Sequence, residues 1–142
     1  MEGQGIVVAV GAVIRDEDGR VLLVKHVPER GGFWQGKWIC PGGKLALGKT
    51  VREGVLREVK EETGLDIRLV GPVTPFERVV RDTGGVKLHV VYIDYLARKV
   101  GGTLLPASDV GEAFWADTRA LRARWSELHE DTQQLLTLAR VI

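Results

Sequence analysis

The 142 residues include a single cysteine, Cys40, so the chain cannot close an internal disulfide. Charge of one sign is lacking too. Twenty basic residues against 19 acidic ones leave a formal net charge of +1, with no strong field to draw in a nucleic acid polymer or an anionic membrane surface. No apolar run approaches the length of a membrane span, and the N-terminus lacks the basic, long-apolar, small-residue order of an export signal. Repeats and low-complexity tracts are absent as well. What is present is one core's worth of chain, because 142 residues with 44% hydrophobic content suit one domain and leave no room for a second. The expectation is a cytoplasmic protein, a single domain over residues 1–142, that recognises its partner through a local site.

Clusters of turn-forming residues divide the sequence. Ile6 to Ile14 and Val21 to Val27 read as strands of a hairpin, joined across Asp16-Glu17-Asp18-Gly19. Trp34 to Cys40 alternates imperfectly and stops at the breaker Pro41-Gly42-Gly43. Ile67 to Arg81 and Val86 to Ala97 are rich in β-branched and aromatic residues and flank a second turn at Asp82-Thr83-Gly84-Gly85. Pro72 and Pro75 make the first of these segments irregular or an edge. Phe114 to Ala116 reads as a short last strand, and Leu128, Leu135, Leu136, Ala139 and Ile142 follow helical spacing. Hairpin strands with one central and one terminal helix make an α+β layered domain.

The central helix carries the chemistry. Thr50-Val51-Arg52-Glu53 has the form of a capping box and Gly64 is the residue type that closes a helix, so the spacing predicts a helix over 51–63. Val51, Val55 and Val59 form its buried stripe, with Leu56 beside them. Glu58 lies three and four residues before Glu61 and Glu62, and each like-charge pair at those spacings costs about 0.2–0.5 kcal/mol. Glu61 and Glu62 also occupy the last turn, where the helix dipole disfavours anions. One reading is a solvated, Glu-rich face with Arg57 and Lys60 in partial compensation. The other is that three oxygen donors on one face serve a hard divalent cation, which would remove the repulsion.

The run from Gly43 to Leu65, "GKLALGKTVREGVLREVKEETGL", resembles the signature of the Nudix hydrolases, Gly-x5-Glu-x7-Arg-Glu-U-x-Glu-Glu-x-Gly-U with U apolar. Gly43, Arg57, Glu58, Val59, Glu61, Glu62, Gly64 and Leu65 all fall on their positions. One position departs, since Lys49 stands where the pattern has its first glutamate and Ala46-Leu47 replaces the usual Glu-Pro pair. Glu53, four residues before Arg57 in the favourable acid-first order, is a candidate stand-in. The competing reading is a catalytically weakened member that still binds nucleotide.

The resemblance implies the Nudix fold, a mixed β-sheet sandwiched between α-helices. It also implies metal-dependent hydrolysis, with Mg²⁺ or Mn²⁺, of a diphosphate linkage in a nucleoside diphosphate joined to another group. Transferred to this sequence, it implies metal ligation by Glu58, Glu61 and Glu62, with the Gly43 carbonyl as a further ligand and Arg57 orienting Glu58. Two residues compete as general base, Glu112 in "SDVGEAFW" and Glu58. Trp34, with Phe33 and Trp38, offers a stacking surface for the substrate, and Arg15, Arg78 and Arg81 offer positive charge. Core packing is the alternative for the aromatics. His26, His89 and His129 have no metal-ligand spacing and read as structural or exposed. ADP-ribose stands narrowly ahead of nucleoside triphosphates, oxidised ones included, although Pro72 and Pro75 come too early for the proline that typical ADP-ribose enzymes carry after the motif. Members of the family are frequently dimers, so a homodimer stays open.

Overall fold

A computed structural model describes residues 5–142; residues 1–4 lie outside what is described. An apolar first strand, β1 (Val7–Arg15), runs until Asp16 turns the chain. The Asp16 carboxylate accepts the amides of Asp18 and Arg20 at 3.0 and 2.8 Å and pairs with Arg20 Nε at 2.8 Å. That turn delivers β2 (Val21–His26). There follow β3 (Gly42–Lys44), helix α1 (Val51–Thr63), β4 (Leu65–Pro72), β5 (Phe76–Asp82), β6 (Gly85–Gly102), β7 (Val110–Ala116), α2 (Thr118–Ala123) and α3 (Glu130–Leu138). No helix among the described residues is long and apolar enough to cross a membrane.

The strands form one mixed sheet in the order β4-β6-β1-β2-β7, with β3 also on β1 and β5 also on β6. β1 lies parallel to β6, from Val7 opposite Val90 to Arg15 opposite Arg98. Side chains alternate between sheet faces, so β1 serves two layers. Val10, Ala12 and Ile14 pack with Val55 and Val59 of α1. Val13 packs on the other face with Trp38 and with Leu135 and Leu136 of α3. At β3 the strand pairing brings Gly42 and Gly43 alongside Gly11 and Val10.

The expected α+β class and the mixed sheet between helices are found, and α1 has the predicted bounds. Five details differ. Leu56 is 42% exposed, because Gly54 rather than a bulky residue completes the buried face of α1. Trp34 to Cys40 is no strand; it forms only single bridges, Ile39 to Val24 of β2 and Trp38 to Leu128, which lies between α2 and α3. The segment from 67 to 81 is two strands, broken after Pro72, and β6 is long enough to pair β5 with its first half and β4 with its second. Ile142 lies beyond α3, which ends at Leu138, and the short helix α2 was not foreseen.

Candidate active site

Local sequence sets the position of α1. Thr50 Oγ1 accepts the Glu53 amide at 3.1 Å and Glu53 Oε1 accepts the Thr50 amide at 2.9 Å. At the other end Gly64 adopts φ of 76°, the left-handed cap that glycine enters without a Cβ penalty. With its start thus fixed, α1 turns Glu58 and Glu62 toward β3. Glu58 lies against the bare Cα of Gly43, where a Cβ would come within 2.7 Å of its Cδ. Glu62, only 5% exposed, accepts the Gly42 amide at 3.1 Å.

The electrostatics of these two carboxylates are unfavourable as they stand. Burial pushes the Glu62 carboxyl up to about 8, against the pull of the Gly42 amide and with Glu58 and Asp109 adding to the rise. Glu58 is raised as well, first by burial and then by Glu61, with Arg57 opposing. Arg57 approaches Glu58 Oε1 at 3.5 Å but donates its hydrogen bond to Glu61 Oε1 at 3.3 Å. Helix geometry spreads the acids: Glu61 is exposed and paired with Arg57, whereas Glu62 is buried. Among the described residues no three acidic, histidine or cysteine side chains are gathered closely enough to form a finished cage. The donor set nevertheless fits a hard divalent cation, because two half-buried or buried carboxylates meet at a glycine that admits them and their shared negative charge has no full counterion.

A cleft of about 610 Å³, counted to its open mouth, runs from Gly43 across the sheet to Leu135 of α3. Its mouth carries Arg30, which pairs with Asp109 at 3.3 Å. Its walls include Trp34, Phe76 and Tyr92, the last two stacked with centroids 4.6 Å apart. Of the expected substrate residues, Trp34 lines this cleft. Arg78 sits beside it, 3.7 Å from the cleft residue Asp131 and hydrogen-bonded to Glu130 at 2.6 Å.

Other expectations need correcting. Arg15 ends β1 far from Gly11, with its guanidinium on the Gly19 carbonyl at 3.1 Å, so it serves the hairpin. Arg81 is exposed at the distal end of β5, opposite Val86, where no cleft residue is near. Glu112 lies opposite Lys25, and on β7 it shares a face with Phe114, which packs in the α3 layer rather than against α1. The acid from that loop whose charge bears on Glu58 and Glu62 is Asp109. Glu53 spends its carboxylate on the cap, and no pairing with Arg57 is formed. His26, read as structural or exposed, is 6% exposed and lines the cleft with Nδ1 unpartnered. The cleft residues that sequence reasoning passed over are Arg30, Tyr92, Asp94 and Asp131. A cue existed for Asp94, the lone acid inside the apolar run "VVYIDYLA".

Residues 5–136 match the model of the NUDIX domain. The chain belongs to the Nudix family. It is similar to an ADP-ribose pyrophosphatase of Methanocaldococcus jannaschii, 34% identical over 114 residues, which are 80% of this chain and 63% of that protein. It is equally similar, at 34% over 114 residues, to an 8-oxo-dGDP phosphatase of Mus musculus, of which the match spans 30% and again 80% of this chain. The crystal structure of a MutT protein from Methanosarcina mazei Go1 shares the fold, with a TM-score of 0.77 at 24% identity over 99% of this chain and 96% of that one. The chain thus spans less than two thirds of the length of these two curated relatives. Nudix hydrolases generally use divalent metal ions.

Proposed function

We propose that this chain, as one Nudix domain over residues 1–142, hydrolyses a diphosphate linkage in a nucleoside diphosphate joined to a further group. ADP-ribose and the nucleoside triphosphates are the two substrate classes that the sequence favours, and the relatives include an ADP-ribose pyrophosphatase and an 8-oxo-dGDP phosphatase. The observation that carries the reading is the meeting of Glu58 and Glu62 at Gly43 and Gly42, two glycines that also line the cleft. Glu58, Glu61 and Glu62, with the Gly43 carbonyl, would hold Mg²⁺ or Mn²⁺. Such an ion neutralises phosphate oxygens and lowers the pKa of a water bound to it. Arg57 restrains Glu58 and Glu61 by charge. Arg30, at the mouth, is placed to meet a phosphate if it exchanges Asp109 for substrate. Glu58, with its raised pKa and half-buried carboxyl, is the base candidate that lies at this site. A cytoplasmic location and a homodimer are consistent with this reading.

The second reading, a nucleotide-binding module with weakened turnover, rests on Lys49 and on the commitment of Glu53 to the helix cap. One assay separates the two: phosphate release, coupled to a phosphatase, from ADP-ribose, nucleoside triphosphates, dinucleoside polyphosphates and NADH. It is run with Mg²⁺ or Mn²⁺ and again with chelator. Turnover of one class that chelator abolishes, and that Glu58→Gln removes, supports the hydrolase. Silence across the panel with nucleotide binding still measurable by calorimetry supports the binding module.

A further inference from the structure

The inner end of the cleft lies on the α3 face of the sheet, away from the carboxylates of α1. Ala9, Gly11, Tyr92 and Asp94 line it from the strands, and Leu135 from α3. Its indole and phenol donors are already used. Trp34 Nε1 donates to the Tyr92 hydroxyl at 3.1 Å, and that hydroxyl in turn donates to Asp131 Oδ2. What remains free is an acceptor. Asp94 is 7% exposed, and its Oδ2 has no hydrogen-bond partner. Its Oδ1 lies over Gly11, where a Cβ would come within 2.8 Å of it, so the absence of a side chain at Gly11 makes room for the carboxyl. Burial raises the Asp94 carboxyl to about 7, and a ligand that brings hydrogen-bond donors would favour its ionised form and satisfy the unpartnered oxygen.

The occupant must therefore bring N–H groups and an apolar body, and must leave its phosphates at the other end. Phosphate is disfavoured beside Asp94 and Asp131, whereas a heterocyclic base suits walls of Trp34, Phe76 and Leu135. Guanine presents a ring N–H next to an exocyclic amine, two donors matched to the two oxygens of one carboxylate. Adenine places a ring lone pair beside its amine, and that lone pair would face a carboxylate oxygen.

We propose that the inner end of the cleft is a nucleobase subsite in which Asp94 reads a guanine-type edge, its two oxygens accepting the ring N–H and the exocyclic amine. The proposal rests on the nucleotide-hydrolase reading above and narrows its substrate to guanine nucleotides, oxidised forms that keep this edge included. It makes Asp94 a specificity-determining residue rather than part of the bond-breaking machinery.

The test is calorimetric binding of GDP and of ADP in chelator, to the native protein and to Asp94→Asn, whose amide offers a donor beside an acceptor as adenine's edge requires. The native protein should prefer GDP by about tenfold or more, the discrimination expected of a bidentate base contact. Asp94→Asn should lose that preference or invert it. Equal binding of GDP and ADP by the native protein overturns the subsite, and so does an Asn variant that still prefers GDP. The native comparison stands even if the variant folds poorly. Because binding is read without metal, a protein that selects GDP but turns over nothing refutes hydrolysis and keeps the subsite. One that hydrolyses ADP-ribose while binding both bases equally does the reverse.

Discussion

Replacing Glu62 with glutamine should make the metal-free protein more stable. In the native fold the Glu62 carboxyl is raised from 4.5 to about 8, chiefly by burial. A carboxyl raised on folding costs stability once the unfolded chain can ionise it, so the native protein weakens as pH climbs from about 4.5 to 8 and changes little beyond. A shift of that size corresponds to a ceiling of about 5 kcal/mol. Glutamine keeps an oxygen for the Gly42 amide, now 3.1 Å from Glu62 Oε1; burying its NH₂ group costs up to about 1–3 kcal/mol if that group finds no acceptor. The net gain at pH 8 is therefore at most about 2–4 kcal/mol, or several degrees in Tm for a domain of this size. Urea denaturation in chelator from pH 4 to 9 reads it directly. The gap should be small or reversed at pH 4 and widen toward pH 8. A variant no more stable than its parent at pH 8, or a gap independent of pH, refutes the reasoning. Adding Mg²⁺ should then raise the Tm of the parent and leave that of the variant nearly fixed, because only the parent gains binding free energy in the folded state.

Three further outcomes are expected. Gly43→Ala should lower turnover about a hundredfold with the fold retained by circular dichroism, because its Cβ would occupy space 2.7 Å from Glu58 Cδ and displace that carboxylate. Trp34→Ala should raise KM several-fold to about tenfold, on the order of one lost aromatic contact, while Arg15→Ala and Arg81→Ala change KM less than about twofold; steady-state kinetics on the best substrate of the panel decides. Leu136→Ala should cost about 2–5 kcal/mol by denaturant titration, since Leu136 is fully buried where α3 closes the second layer.

The central helix was legible because its determinants are local: Thr50 and Glu53 cap each other and Gly64 sits at the left-handed turn, all within one window of sequence. The same locality misled on Glu53, whose i,i+4 spacing to Arg57 says nothing of a competing bond to Thr50. Helix α2 has six residues, too few to display a period. Glu112 fails for a reason of parity. The register of β2 and β7 shifts between Lys25 and His26, and that irregularity decides which face each loop acid reaches. Arg15 and Arg81 were chosen for their charge, but distance along a strand decides what they meet, and both stand at turns remote from Gly43. The α1 half of the site is thus written in a motif. The α3 half is assembled from Trp34, Tyr92, Asp94 and Asp131, residues on three segments that only the sheet brings together.

The parallel pairing of β1 with β6 also bears on how the protein is made. Val7 finds its partner Val90 only after roughly 80 residues have followed, a separation of the kind that slows folding because the loop must close before any contact repays it. During synthesis an apolar strand, "VVAVGAVI", therefore emerges long before the strand that covers its edge. Only the hairpin partner near Val21 and the strand at Gly42–Lys44 reach it earlier. The sheet should therefore be completed only in a late step, once β6 has been made.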